Sequence, residues 1–131
     1  MRRILVVENS TSTRSFIRSA LENAGRLGPC EIVEASSGFD ALRLLPRGPY
    51  DLVITDINMP DINGLELVQF IRKSDCYRLM VLMIILTQSS EKDRQCVMSL
   101  GADEYLPKLL DPEPLVAAVG RLLAGGPAAN G

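Results

Sequence analysis

Short apolar runs alternate along the chain with stretches in which apolar residues recur every three to four positions, the first reading as strands and the second as helices. Arg3-Ile4-Leu5-Val6-Val7 is a strand ending at Glu8-Asn9. Phe16, Ile17, Ala20, Leu21 and Ala24 then share a helical face, with Ser10 or Thr11 as N-cap and Gly25 as the stop. A second strand runs from Glu31 to Ala35. A short helix starts near Ser37, carries Phe39, Ala41, Leu42 and Leu45, and ends at Pro46. Asp51 to Thr55 is the third strand, and Leu65, Leu67, Val68, Phe70 and Ile71 mark a helix after Gly64. Met80 to Leu86 is the most hydrophobic run and predicts a strand buried on both faces. Ser90-Glu91-Lys92-Asp93 has capping-box spacing and opens a helix carrying Val97 and Leu100. Tyr105-Leu106 is a short fifth strand. Asp111-Pro112 starts a last helix with Leu115, Ala118, Val119, Leu122 and Leu123 on one face.

Five strands alternating with five helices, (βα)5, predict an α/β fold: an open, parallel five-stranded sheet, joined by right-handed crossovers and covered by helices on both faces. In such sheets ligands bind beyond the carboxyl ends of the strands, near the switch in strand order. The residues that matter are therefore those at strand exits: Glu8 and Asn9, Asp56, Thr87 and Lys108.

Composition narrows the chemistry. With 131 residues, 47% of them apolar and 23% charged, the chain has the size and balance of one ordinary globular domain. The expected division is a domain over residues 1–124 and a flexible tail or start of a linker over 125–131. A net charge of −2 without basic blocks argues against nucleic-acid binding or a polybasic membrane anchor. Histidine is absent, which excludes Ser-His-Asp and Cys-His catalysis and histidine-ligated metals. Cys30, Cys76 and Cys96 have no C-x-x-C spacing and are expected as buried small apolar side chains in a reducing, cytoplasmic setting. The longest apolar run, Leu79 to Leu86, is too short to insert in a membrane.

The strand exits would gather two carboxylates, an amide, a hydroxyl and an ammonium in one crevice, with the Asn58 carbonyl close by. Oxygen donors of this kind suit Mg²⁺, which binds through one or two carboxylates and keeps several waters. A lysine would neutralise a transferring phosphoryl group and a threonine hydroxyl would bond one of its oxygens. Asp56 is the natural nucleophile, because a carboxylate needs no base to attack phosphorus. Taken singly, each residue has a plainer reading. Asp56 is a turn carboxylate, Thr87 a strand end, Lys108 a solvated lysine, and Glu8 and Asn9 are caps for the first helix. Their joint placement favours an aspartyl phosphate.

The stretches ILVVENS, DLVITDINMPDINGLEL, LTQSS and GADEYLPK, in this order and spacing, resemble the receiver domain of bacterial two-component response regulators, over about residues 3 to 123. That resemblance to a CheY-like domain implies the strand order 2-1-3-4-5. It implies that Asp56 accepts a phosphoryl group from a sensor histidine kinase or a phosphotransfer protein. Mg²⁺ would be bound by Glu8, Asn9, Asp56 and the Asn58 carbonyl, and the phosphoryl group gripped by Thr87 and Lys108. Tyr105 matches the family's aromatic switch, which turns inward as Thr87 moves; its plainer reading is a half-exposed strand aromatic. Output in the family passes to a protein target through the fourth helix, fifth strand and fifth helix. The implied product is a signalling switch, not an enzyme.

Three positions depart from the family's pattern. Asn9 stands where a second acid normally binds the metal. A unit charge pair at ~4 Å is worth roughly 4 kcal/mol at an effective dielectric of 20, and desolvation cancels much of it, so Mg²⁺ binding is expected to weaken by ~1–3 kcal/mol. Gln88 replaces a small residue beside Thr87 and crowds the phosphoryl site. Lys108 is followed by Leu109, not by the usual cis proline; a cis Lys108-Leu109 bond would cost ~2.5–4 kcal/mol, so a trans bond and a shifted loop are expected.

Two other function classes remain. A pseudo-receiver would bind partners without phosphate, as Glu8-Asn9, Gln88 and the missing Lys-Pro suggest. An aspartate-nucleophile phosphohydrolase of the haloacid dehalogenase kind would need a second aspartate two residues after the nucleophile, where this chain has Asn58. Nucleotide binding is weaker again, because no Gly-rich phosphate loop follows the first strand.

Overall fold

The computed structural model describes residues 2–57, 59, 61–86, 91–107 and 111–124. Strands β1 (Arg2–Val7), β2 (Cys30–Ala35), β3 (Leu52–Asp56), β4 (Leu82–Leu86) and β5 (Glu104–Pro107) form one parallel sheet in the order β2-β1-β3-β4-β5. Helices α1 (Thr11–Glu22), α2 (Gly38–Leu44), α3 (Gly64–Lys73), α4 (Glu91–Ser99) and α5 (Pro112–Ala124) follow the successive strands. The expected architecture and strand order are those observed.

Strand alternation divides the core in two. Ile4 and Val6 of β1, Leu52 and Ile54 of β3, and Met83 and Ile85 of β4 pack with Ile17 and Leu21 of α1 and Leu115, Val119 and Leu122 of α5. Leu5, Val7, Val53, Leu82 and Ile84 point the other way, against Ala41 of α2, Leu67, Val68 and Ile71 of α3, and Val97 of α4. The central strands are thus buried on both faces, which is why they are near-continuous apolar runs. Each fully buried Leu or Ile contributes roughly 1.5–3 kcal/mol, so the sheet centre anchors whatever its carboxyl ends carry.

Local chemistry sets the helix starts. Ser10 is the N-cap of α1, its hydroxyl accepting from Thr13 N, and Ser37 caps α2 by accepting from Asp40 N. Asn63 and Glu66 form a reciprocal capping box at the start of α3. The Ser90 cap expected for α4 lies outside the described residues.

Several expectations need correction. Helix α1 ends at Glu22, before Ala24 and Gly25, because the Ala24 N–H closes on Leu21 O, three residues back, and a 3-10 turn starts at Gly25. Pro46 does not simply stop α2. It sits in the first positions of a 3-10 turn over Leu45–Arg47, where a missing N–H costs nothing. The strand expected over Met80 to Leu86 starts only at Leu82. The chain turns at 75–79, with Met80 N bonded to Tyr77 O, and Leu79 is 83% exposed. Phe39 and Phe70 lie on their helices as expected but face outward, since Ala41 and Leu44, and Leu67 and Ile71, take the inner positions. Cys30 is partly buried, whereas Cys76 and Cys96 are exposed, against the expectation of three buried thiols. Among the described residues, no helix is long and apolar enough to cross a membrane.

Candidate functional site

The register of β1 on β3 pairs Ile4 with Leu52, Val6 with Ile54 and Val7 with Thr55. One step further brings Glu8 level with Asp56, and the alternation puts both on the side of the sheet that α1 and α5 cover. The two carboxylate residues are 0% and 1% exposed. Ionised carboxylates withdrawn from water this far require compensating charge or donors. The Glu8 backbone continues the ladder, its N–H donating to Ala35 O at 3.0 Å. Its Oε2 accepts from Ser10 N at 2.9 Å, and its carbonyl accepts from the Arg14 guanidinium at 2.7 Å. Arg14 and Arg18 both pair with Glu34 on β2, so α1 is tied electrostatically to the strand flanking the site. Asn9, next to Glu8, is exposed.

Asp56 ends β3, and its chain is held on three sides. Ile57 N donates to Ile85 O at 3.2 Å, keeping the strand end against β4. Thr55 Oγ1 donates to the Asp56 carbonyl at 3.0 Å. Gly64, the first residue of α3, folds back so that its N–H donates to Ile57 O at 2.9 Å. A Cβ on Gly64 would stand 2.7 Å from Ile57 Cα and closer still to the Asp56 carbonyl oxygen. Only glycine fits there.

The donor set suits a hard divalent cation. Glu8 and Asp56 offer carboxylate oxygens from neighbouring strand ends, and Asn9, the exposed residue after Glu8, carries an amide oxygen. Among the described residues no group of three or more His, Cys, Asp or Glu side chains gathers for a metal. A water-rich Mg²⁺ site needs fewer. Asn58, Thr87 and Lys108, together with Gln88 and Leu109, lie outside the described residues.

Tyr105 lies in β5, opposite Ile84 of β4, and is partly buried. The Arg94 guanidinium of α4 sits over its ring, 5.2 Å from the centroid, a cation–π distance.

One residue of this region escaped sequence reasoning. Asp61, in the turn between β3 and α3, accepts the Gly38 N–H at 3.1 Å and the Phe39 N–H at 2.9 Å. The Phe39 N–H, followed by further backbone donors, holds its carboxyl at about 2, well below the ordinary 3.8. The turn residues around Asp61 were legible, but partners 22 and 23 positions away carry no local signal.

Residues 4–120 match the response regulator receiver domain. The chain is 31% identical to a chemotaxis protein CheY homolog of Campylobacter jejuni, across 95% of this chain and 94% of that one. It is also 36% identical to a probable transcriptional regulatory protein of Picosynechococcus, across 92% of this chain and 49% of the relative. The chain therefore spans about half the length of that regulator and nearly all of the CheY homolog. The solved chemotaxis response regulator CheY4 of Vibrio cholerae superposes with a TM-score of 0.84 at 30% identity, covering 93% of this chain and 98% of that one. A strand order of 2-1-3-4-5 and a match over this span agree: the chain belongs to the response regulator receiver domains, the CheY-like signalling modules of two-component systems.

Proposed function

We propose that the domain is switched by phosphorylation of Asp56. The observation that carries this reading is the pair of buried carboxylates, Glu8 and Asp56, level with each other at the exits of adjacent central strands. An Asp56 oxygen would attack the phosphorus of a phosphohistidine on a sensor kinase or phosphotransfer protein. The P–N bond breaks, the imidazole nitrogen keeps the electron pair and takes a proton, and an aspartyl phosphate forms.

The chain's own part is positional. The ladder bond from Ile57 and the close seat of Gly64 fix the Asp56 backbone, while the Ser10 N–H and Arg14 orient the Glu8 segment. Glu8, Asp56, Asn9 and the Asn58 carbonyl would hold Mg²⁺, which, when bound, would supply positive charge to the phosphoryl oxygens. Thr87 and Lys108 would take the remaining oxygens, and Tyr105 would respond to the movement of Thr87. Output would then leave through the surface of α4, β5 and α5 to a protein target in the cytoplasm.

The test is location of the phosphoryl group. After incubation with acetyl phosphate and Mg²⁺, borohydride reduces an aspartyl phosphate to homoserine, and peptide mass spectrometry finds the converted residue. Conversion at Asp56 is expected; conversion elsewhere, with Asp56 intact, sinks the assignment.

A second reading is favoured by Asn9. With an exposed amide in place of the second acid, the domain would bind its partner in one constitutive state.

A further inference from the structure

Helix α2 has seven residues, too short to hold itself in place. Its first three N–H groups are nonetheless all satisfied. Ser37 Oγ accepts from Asp40 N at 3.1 Å, while the two oxygens of Asp61 accept from Gly38 N at 3.1 Å and Phe39 N at 2.9 Å. The Ser37 cap is local, but the Asp61 cap comes from the turn that follows Asp56. Backbone packing reinforces it, since a Cβ on Gly38 would lie 2.5 Å from the Ile62 carbonyl oxygen. Segment 61–64 is therefore pinned to α2 at Asp61 and Ile62, and to the phosphoacceptor strand at Gly64, whose N–H bonds Ile57 O at 2.9 Å.

We infer that Asp61 is a positioning residue for Asp56: its two hydrogen bonds to the start of α2 brace the segment whose other end, Gly64, backs the Asp56 carbonyl. This rests on the reading of Asp56 as the phosphoacceptor. A bidentate carboxylate suits the task, because two consecutive amides fix it in both rotation and distance, and charged acceptors make the stronger bonds. Without the brace, segment 61–64 keeps its anchor on Ile57 but loses its rigid support. The attacking oxygen then samples a wider range of positions.

Three variants separate a brace from a plain helix cap. Asp61→Ala removes both bonds, Asp61→Asn leaves one acceptor, and Ser37→Ala removes the other cap of α2 without touching the turn after Asp56. Amide hydrogen exchange and the rate of phosphorylation by acetyl phosphate with Mg²⁺ are read on each. In Asp61→Ala, exchange rises at Gly38 and Phe39 and also at Ile57 and Gly64. Phosphorylation slows by roughly tenfold, within the ~10²-fold scale of a small misplacement of reacting groups. Asp61→Asn falls between, and Ser37→Ala keeps the wild-type rate within about twofold on that scale. Unchanged exchange at Ile57 and Gly64 in Asp61→Ala overturns the inference, and so does equal slowing in Ser37→Ala. If the wild-type protein takes no phosphoryl group, the reading of Asp56 fails, and the exchange at Ile57 and Gly64 alone decides the brace.

Discussion

Gly64 packs its Cα directly against the backbone of Asp56, so closely that a methyl group there would press on the Asp56 carbonyl oxygen and stand 2.7 Å from Ile57 Cα. Both neighbours are backbone in a strand end bonded to β4, and neither can yield without moving the strand. Gly64→Ala gains about 1 kcal/mol of helix propensity at most. Overpacking costs ~1–3 kcal/mol and wins. The variant is expected to unfold at lower denaturant with an unchanged slope, and to accept phosphate more slowly than its stability loss alone explains.

At the opposite end of the sheet, Arg72 binds β4, β5 and their approaches together. Its guanidinium donates to Gly101 O at 2.9 Å, Arg78 O at 2.8 Å, Met80 O at 2.6 Å and Asp103 Oδ2 at 3.0 Å; that same oxygen accepts Leu82 N at 2.8 Å. Arg72→Met strands several acceptors at once and is expected to cost about 2–3 kcal/mol in urea unfolding. Arg72→Lys recovers little, because an ammonium cannot span the fork. Neither change touches the Asp56 end, so the phosphorylation rate of the folded fraction should stay at the wild-type value.

Arg94 over the Tyr105 ring offers a direct handle on the proposed output surface. A partly exposed cation–π contact is worth ~0.5–1 kcal/mol, so Arg94→Gln should change the equilibrium between Tyr105 conformers by roughly two- to fivefold. The chain has three tyrosines and no tryptophan, which makes ring NMR signals easy to assign. An unchanged Tyr105 signal in Arg94→Gln contradicts a coupling between the two.

Acid should reveal the Asp61 brace separately. Its carboxyl is held at about 2, against 3.8 ordinarily, chiefly by the Phe39 N–H. A lowered folded value means stability that is fully present above the unfolded value and lost as pH falls through the folded one. The stability gap between wild type and Asp61→Asn should therefore be constant above about pH 5 and shrink between about pH 4 and pH 2. Glu34, held down chiefly by Arg18, and Asp40, held down chiefly by Arg43, add to the same acid loss in both proteins. A gap that does not narrow in acid rules out Asp61 as its source.

The fold was legible because the central strands announce themselves. Runs such as Leu5-Val6-Val7 and Met83-Ile84-Ile85 need cover on both faces, and helical periods supply it between them. Glu8 and Asp56 were legible for the same reason, as carboxylates that end apolar strands, and so were the Ser10 and Ser37 caps, whose partners are three residues away. What stayed hidden depends on distant partners or on competition for space. Asp61 finds its amides in α2, and Arg72 finds Asp103 31 positions on. Met80 and Val81 looked like strand, but the turn over 75–79, closed by Met80 N on Tyr77 O, delays the start of β4 to Leu82. Phe70 lost the inner position to Leu67 and Ile71, which meet the core more squarely. No local pattern ranks such neighbours.

Phosphorylation of Asp56 is tested most directly by intact mass after acetyl phosphate treatment, with and without Mg²⁺, on wild type, Asp56→Ala and Asn9→Asp. One added phosphoryl group is expected on wild type, requiring Mg²⁺ and absent from Asp56→Ala. Asn9→Asp should reach the same occupancy at lower Mg²⁺, by a factor matching ~1–3 kcal/mol. A wild-type protein that stays unmodified at saturating Mg²⁺, or an Asp56→Ala protein that is still modified, contradicts Asp56 as the phosphoacceptor.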